Sequence, residues 1–237
     1  AEDLKKLTDK ADKADAKATD YETDADDLAA EIGQDRTKSQ ADFALNLRAA
    51  VRGLWRGQLN QFGFVDSFFG TLHRNLTQAW HEGAKECGIL PDELSQKELD
   101  ALNRLINEQV LYAPDFAESV AEARDIHADS PRDPAGRLGP QLSRAENWIN
   151  RYDTAKQIGK AMACADKKLL WVLGEAEHCS SCIKLNGKVK RGSFWSERGI
   201  IPAVPGATYL DCKGFNCACQ LVQTDKPLSK GPLPGLP

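Results

Sequence analysis

Five of the chain's seven cysteines fall in its last quarter, in two short groups. Cys179 and Cys182 are spaced as Cys-x-x-Cys directly behind His178, and the second group consists of Cys212, Cys217 and Cys219. Structural zinc takes four ligands in a tetrahedral arrangement, and a Cys-x-x-Cys turn supplies two thiolates from one knuckle. The spacing therefore predicts a zinc site made of Cys179, Cys182 and two of the three later cysteines, with the choice among those three left open.

Disulfide bonds between the two groups are the alternative, and they would staple the same segment in an oxidising medium. The amino terminus has no apolar signal segment, and no apolar run approaches the roughly 18 residues that a membrane span needs. We therefore expect the chain in the cytoplasm, where thiols stay reduced and clustered cysteines more often bind metal. Either way the cluster is structural, because four sulfur ligands leave a zinc ion no open position for a substrate.

Catalytic chemistry has weaker support. His178 and Cys179 are neighbours in sequence, but no local signature marks a second histidine with an orienting aspartate. His73, His81 and His127 fit surface or packing roles on helices and in a loop, and no glycine-rich phosphate motif is present. We expect no enzymatic activity.

Helical periodicity dominates the segment before the cysteines. Apolar residues recur three or four positions apart from Phe43 onward, and they predict a first helix that ends near Gly63 and a second that ends at Gly88. "SQKEL" at 95–99 predicts a capping box that starts a third helix, and "HADSPRDPAG" predicts a loop. A further stripe runs from Leu142 to Ile158. In this pattern Cys87 and Cys164 are predicted to be core packing residues.

The pattern changes after Lys168. "LLWVLG" is typical of a short buried strand that leads to the first cysteine group, and "CACQLVQ" predicts a second strand. The sequence thus predicts a mainly α member of the α+β class, an amphipathic helical body followed by a small cysteine-rich β subdomain. The expected divisions are an acidic helix or linker at 1–38, a helical domain at 39–165, the cysteine-rich subdomain at 166–223 and a Pro/Gly-rich tail at 224–237.

Charge is distributed unevenly along the chain. Residues 1–38 carry twelve acidic against seven basic side chains, whereas residues 165–237 carry six against ten. The excess at the carboxyl-terminal end is too small to predict a strongly basic nucleic-acid module, although this end could still contact a polyanion.

The cysteine region resembles a known family. "WVLGEAEHCSSCIKLNGKVK" and the later "LDCKGFNCACQLV" resemble the carboxyl-terminal signature of phage head morphogenesis proteins, the Mu F-like minor head proteins of tailed phages. The resemblance covers roughly residues 65–223, with specific motifs only near the end. The residues that occupy the motif positions are Trp171, Glu177, His178, Cys179, Cys182, Gly187, Cys212, Cys217 and Cys219. Ala218 stands where the family usually has a basic residue.

The resemblance implies a structural virion protein that associates with the portal or the inner capsid and aids head assembly, DNA packaging or DNA ejection. It implies portal, capsid or scaffold proteins as partners, with packaged DNA as a further option and no membrane. It also places the protein in the host cytoplasm during assembly and then in the virion head. The alternative classes are a zinc-ribbon nucleic-acid-binding protein and a phage-encoded hydrolase or toxin.

Overall fold

Helices make up the first part of the described chain. The computed structural model describes residues 38–215 and 217–236, so the predicted acidic segment at 1–38 lies outside the description except for Lys38. The six longer helices are α1 (Lys38–Trp55), α2 (Gln61–Lys85), α3 (Gln96–Val110), α4 (Ala113–Asp129), α5 (Leu138–Ile149) and α6 (Arg151–Ala163). Single 3₁₀ turns lie at Pro91–Glu93 and Pro134–Gly136. None of the described helices is long and apolar enough to cross a membrane.

Local signals set several of these helix boundaries. The predicted capping box is present, because the Ser95 side chain accepts from the backbone N–H of Glu98 while the Glu98 carboxylate accepts from that of Ser95. The predicted end near Gly63 is wrong. The helix α1 ends at Trp55, and Asn60 caps the start of α2 by accepting from the N–H of Gly63. Gly63 therefore lies in the first turn of α2.

Other predicted boundaries are shifted. The helix α4 runs to Asp129, so the predicted loop starts three residues later than its sequence suggested. The continuous stripe from Leu142 to Ile158 is divided at Asn150 into α5 and α6. Both helices bury the apolar residues of that stripe in the main core, because a short break between consecutive helices changes direction without removing the periodic pattern.

Helices α2 and α6 approach each other closely at two glycines. A Cβ atom at Gly83 would overlap the carbonyl oxygen of Lys156, and one at Gly159 would overlap that of Trp80. The missing side chains therefore let the two backbones pack in contact. This packing brings together the chain segments that follow both helices.

Cys87 and Cys164, one on each of those segments, form a disulfide bond with a Cα–Cα separation of 5.4 Å. Both side chains are buried, as predicted, in a second hydrophobic core, which also contains Leu169, Trp171 and Trp195. The two residues are core residues as predicted, and the structure adds a covalent bond between them that the sequence analysis did not predict. Sequence spacing gave no hint of the pairing, since 77 positions separate the two cysteines.

A three-stranded antiparallel sheet follows the helices. Its strands are β1 (Lys168–Val172), β2 (Val189–Arg191) and β3 (Gln220–Gln223), in the order β2-β1-β3. Leu170 pairs with Val189 on one side and with Val222 on the other. Two helices of six residues, α7 (Ser180–Leu185) and α8 (Gly192–Glu197), lie in the connections. The prediction of a mainly α chain with a small cysteine-rich β region is confirmed.

Polar contacts attach the sheet to the helical body. Gln157 on α6 accepts from the backbone N–H of Leu221 at 3.1 Å, and Lys160 donates to the Leu221 carbonyl at 2.9 Å. Lys160 is buried and also forms an ion pair with Glu86. Both main-chain groups of Leu221 are thus bound by α6, which fixes β3 against this helix.

The carboxyl-terminal tail forms no helix or strand in its described part, yet it contacts the sheet. Ser229 exchanges hydrogen bonds with the backbone of Val189, and Lys190 donates to the carbonyls of Ser229 and Gly231 at 2.9 Å. Leu233 and Leu236 pack against the second core. The tail therefore covers the outer side of β2.

Candidate metal centre

The first cysteine group lies at the start of α7. Cys179 is the N-cap residue of this helix, and its Sγ accepts from the backbone N–H of Cys182 at 3.5 Å. The predicted Cys-x-x-Cys knuckle is therefore a helix amino terminus. The strand β1 delivers the chain to this point through residues 173–178. Cys182 is buried, whereas Cys179 is partly exposed.

The second group lies in a tight turn and the segment that leads into β3. Lys213 and Gly214 both adopt left-handed backbone angles, with φ of 50° and 73°. A Cβ atom at Gly214 would overlap the carbonyl oxygen of Val204, so only glycine fits this turn. The turn places Cys212 on one side, while Cys219 is buried directly before β3.

A hydrogen-bonded clasp joins the two groups. The Asp211 carboxylate accepts from the hydroxyl of Ser180, from the hydroxyl of Ser181 at 2.8 Å and from the Ser181 N–H at 3.1 Å. Ser181 in turn accepts from the Asp211 N–H at 3.1 Å. These bonds lower the pKa of Asp211, with the Ser180 bond as the largest cause. Residues adjacent to Cys179, Cys182 and Cys212 thus fix the spacing between the two groups.

The five thiols form two overlapping groups. Cys179, Cys182 and Cys212 have sulfur atoms within 4.8 Å of one another, and so do Cys182, Cys217 and Cys219. Cys182 belongs to both groups. The structure thus brings all five predicted ligands into one cluster, which could hold a metal ion.

The sulfur spacing matches metal ligation better than disulfide bonding. The Sγ atoms of Cys182 and Cys217 lie 3.9 Å apart. A tetrahedral zinc ion with Zn–S bonds of about 2.3 Å holds neighbouring sulfur atoms about 3.8 Å apart, whereas a disulfide needs about 2.05 Å. All five cysteines of the cluster are free thiols.

His178 is a sixth candidate metal ligand, at the edge of the cluster. Its Nδ1 lies 3.8 Å from the Cys219 Sγ, and its Nε2 lies 2.9 Å from the Gly174 carbonyl oxygen. A proton on Nε2 that bonds to this carbonyl leaves Nδ1 with a free lone pair, as metal-binding histidines require. Gly174 also packs against the backbone of Ala218, which a Cβ atom at position 174 would overlap. In the sequence, the position of His178 beside Cys179 already left the ligand set ambiguous.

The pKa values of the thiols in the cluster shift in opposite directions. Hydrogen bonds from Cys182 and Cys219 lower the pKa of Cys217 to about 2 against the opposing effect of burial. The same contact with Cys217 raises the pKa of Cys182 far above its ordinary value. Burial is the largest cause that raises the pKa of Cys212 to about 11. Without a cation the cluster thus retains protons, and a bound metal would supply the charge that releases them.

The pKa of Cys179 shifts downward. Burial opposes this shift, but backbone hydrogen bonds from Cys182 and Cys212 outweigh it. Cys179 and Cys217, one from each group, are therefore the thiolates that the protein itself stabilises.

Comparisons with known proteins add no assignment. No family model, no curated protein and no solved structure matches the chain.

The remaining histidines lie away from the cluster. His73 contacts Phe69 on α2, with ring centroids 5.9 Å apart, and His127 contacts Trp55 at 5.6 Å. Burial lowers the pKa of His81 on the same helix as His73. Among the described residues none of these three histidines joins a group with metal-ligand spacing. The chemistry that the cluster supports is metal ligation by sulfur, with His178 as the nitrogen donor closest to it.

Proposed function

We propose that this chain is a structural minor head protein of a tailed phage, which associates with the portal or the inner capsid face and aids head assembly or DNA handling. One observation carries the proposal. The family resemblance depends on the cysteines of two sequence segments, one around Cys179 and one around Cys217. The sulfur atoms of these two segments lie in one cluster. The cluster favours a fastened structural unit on a helical body.

Zinc is the metal that we propose for the cluster. Its ligands are thiolates and imidazoles in tetrahedral sites, and this cluster offers five thiols and His178. Cys182 lies in both three-sulfur groups, so every four-ligand set built on either group contains it. The buried position of Cys182 and the clasp around Asp211 support a structural ion that joins two distant segments.

An apolar stripe on α2 supports a role in protein contact. Phe62 is 83% exposed and Phe69 is 40% exposed. They are seven residues apart and so lie on one side of the helix, whereas Phe64 and Phe68 on the other side are fully buried. Exposed aromatic side chains on a rigid helix are typical of protein interfaces. We assign this stripe to contact with the portal or capsid protein.

Metal analysis tests the proposed centre. Protein purified under reducing conditions is expected to contain about one zinc ion per chain. Cys182→Ser should lose the metal, whereas Cys219→Ser should retain more of it, because the group that contains Cys179 and Cys212 remains intact. Equal metal content in wild type and the Cys182→Ser variant would contradict the site. Two ions per chain would instead indicate that Cys182 bridges them.

Co-sedimentation tests the proposed function. Wild-type protein should sediment with rings of the portal protein encoded in the same genome, and the double substitution Phe62→Ser and Phe69→Ser should weaken this binding by about tenfold or more. Leu90→Ser is the matched control, because Leu90 is 52% exposed but lies outside the stripe. Absence of portal or capsid binding, together with salt-sensitive binding to DNA, would replace the proposal with a nucleic-acid-binding function.

A further inference from the structure

A cleft lies between the helical body and the second cysteine group. Its volume is about 480 Å³, within the range of small-molecule sites. Residues on α5 and α6 form one wall, and the turn that contains Gly214 and Phe215 forms the opposite wall. Cys217 also lines the cleft.

Two arginines in the cleft have no ion-pair partner among the described residues. Arg144 lies over the Phe116 ring, with its guanidinium carbon 5.1 Å from the ring centroid, and no carboxylate of residues 38–215 or 217–236 lies within 4.0 Å of either guanidinium. The Nε atom of Arg151 is buried and has no hydrogen-bond partner in this part of the chain. Burial lowers the pKa of Arg151, although the charge of Glu108 partly offsets this effect. Two guanidinium groups without a carboxylate partner give this part of the cleft positive charge, which favours an added anion.

Aromatic rings and side-chain amides also line the cleft. Tyr112 and Phe215 are 58% and 56% exposed, which leaves ring surface free for stacking. Asn147 and Asn150 add amide groups that both donate and accept hydrogen bonds. The lining includes the carboxylate of Asp153, which already accepts from Gln40 at 3.1 Å.

We propose that this cleft binds a nucleoside monophosphate, with the phosphate on Arg144 and Arg151 and the base against Tyr112 or Phe215. Guanidinium groups bind phosphate oxygens in bidentate fashion, and aromatic rings stack on bases. The side-chain amides match the mixed donors and acceptors of a base edge. A simple carboxylate fits less well, because one guanidinium already satisfies it. The proposal goes beyond the head-protein function and does not depend on it.

Isothermal titration of the full chain, as purified under reducing conditions, tests the proposal. The probes are the 5′-monophosphates of adenosine, guanosine, cytidine and uridine, each compared with its nucleoside, with inorganic phosphate and with benzoate. At least one monophosphate is expected to bind with a dissociation constant below about 1 mM. Its nucleoside, free phosphate and benzoate should bind at least about tenfold more weakly, because each lacks half of the contacts.

Arg144→Met and Arg151→Met should each weaken monophosphate binding by about tenfold or more, and Phe215→Ser by a smaller factor. Arg132→Met is the matched control, because Arg132 is an exposed cation outside the cleft lining. Thermal melting by circular dichroism identifies the variants that remain folded, and the two arginine variants test the phosphate contact independently.

Three results would overturn the proposal. These are no binding of any monophosphate, binding of benzoate or free phosphate as tight as that of the best monophosphate, and equal weakening in Arg132→Met. A single-stranded oligonucleotide that binds more tightly than its mononucleotide, with the same loss in both arginine variants, would support the site and identify a strand as the source of the nucleotide.

Discussion

The helical body and the cysteine-rich region keep their shape by different means. The body consists of long helices of 12 to 25 residues, which bury large apolar side chains such as Trp80, Phe64 and Phe68 between them. The cysteine-rich region has strands of three to five residues and helices of six. This region also buries large side chains, Trp171 and Trp195 among them, and its short elements are supplemented by the clustered thiols and by specific polar contacts. Sulfur is accordingly concentrated where the elements are shortest.

The largest effect is expected in the helical core. Phe68 is fully buried, and its ring contacts Phe64, Phe116 and Trp148 with centroids 5.1 to 6.0 Å apart. Phe68→Ala should lower the free energy of unfolding by about 3–5 kcal/mol, because it removes buried surface and leaves a cavity. Denaturant titration measures this loss. The metal content of the folded variant should not change, and a parallel loss of metal would contradict the separation of the two regions.

The disulfide bond should have the next largest effect. Replacing Cys87 and Cys164 together by alanine should lower the free energy of unfolding by about 2–4 kcal/mol, because the unfolded chain without the crosslink has more conformational entropy. The loss should appear first as faster amide exchange at the junction between α6 and β1. Thiol counting on unfolded, metal-free, unreduced wild type should find five reactive cysteines. Seven would show that the bond is absent.

The attachment between the two regions can be tested at Lys160. Lys160→Met removes the donor to the Leu221 carbonyl and leaves the Glu86 carboxylate with one fewer cation. We expect a loss of about 1–3 kcal/mol, the usual effect of an unsatisfied buried polar group. Lys156→Met is the control, because Lys156 pairs with the same Glu86 at 3.2 Å on a more exposed side chain. Its effect should stay below about 1 kcal/mol.

The smallest effect concerns the clasp at Asp211. Its folded pKa is lowered, so the stabilisation that it provides is present above the unfolded pKa of about 4 and is lost as pH falls through the folded pKa. Asp211→Asn should therefore lower the free energy of unfolding slightly at neutral pH, and the difference from wild type should disappear in acid. Denaturant titration of the metal-free proteins at each pH measures this difference. A difference that grows as pH falls would contradict the assignment.

Local sequence signals predicted the elements better than their connections. The capping box at Ser95 and the strand around Trp171 depend on neighbouring residues, and both are present. The break at Asn150 and the start of α2 at Gln61 were missed, because the apolar stripe continues across each of them. Periodicity reports which side of a helix is buried but says little about where a bundle turns.

The candidate metal centre was partly predictable, because some of its features are local in the sequence. Spacing identified the five clustered cysteines, because a Cys-x-x-Cys knuckle is a local feature. The Asp211 clasp was not foreseen, since an aspartate beside a cysteine is unremarkable until Ser181 lies opposite it. The bond between Cys87 and Cys164 depends on the close packing at Gly83 and Gly159. Only the three-dimensional fold brings these positions together.

The contact between α6 and β3 uses the main chain of Leu221 as well as its buried side chain. Position 221 can therefore accept other apolar residues that fill the same space without losing the direction of the strand. Gln157 and Lys160 are more restricted, because their side chains must reach the N–H and the carbonyl of Leu221 at fixed positions. In homologous chains, we expect substitutions at these two helix positions to be accompanied by a shift in the angle at which the sheet meets the bundle.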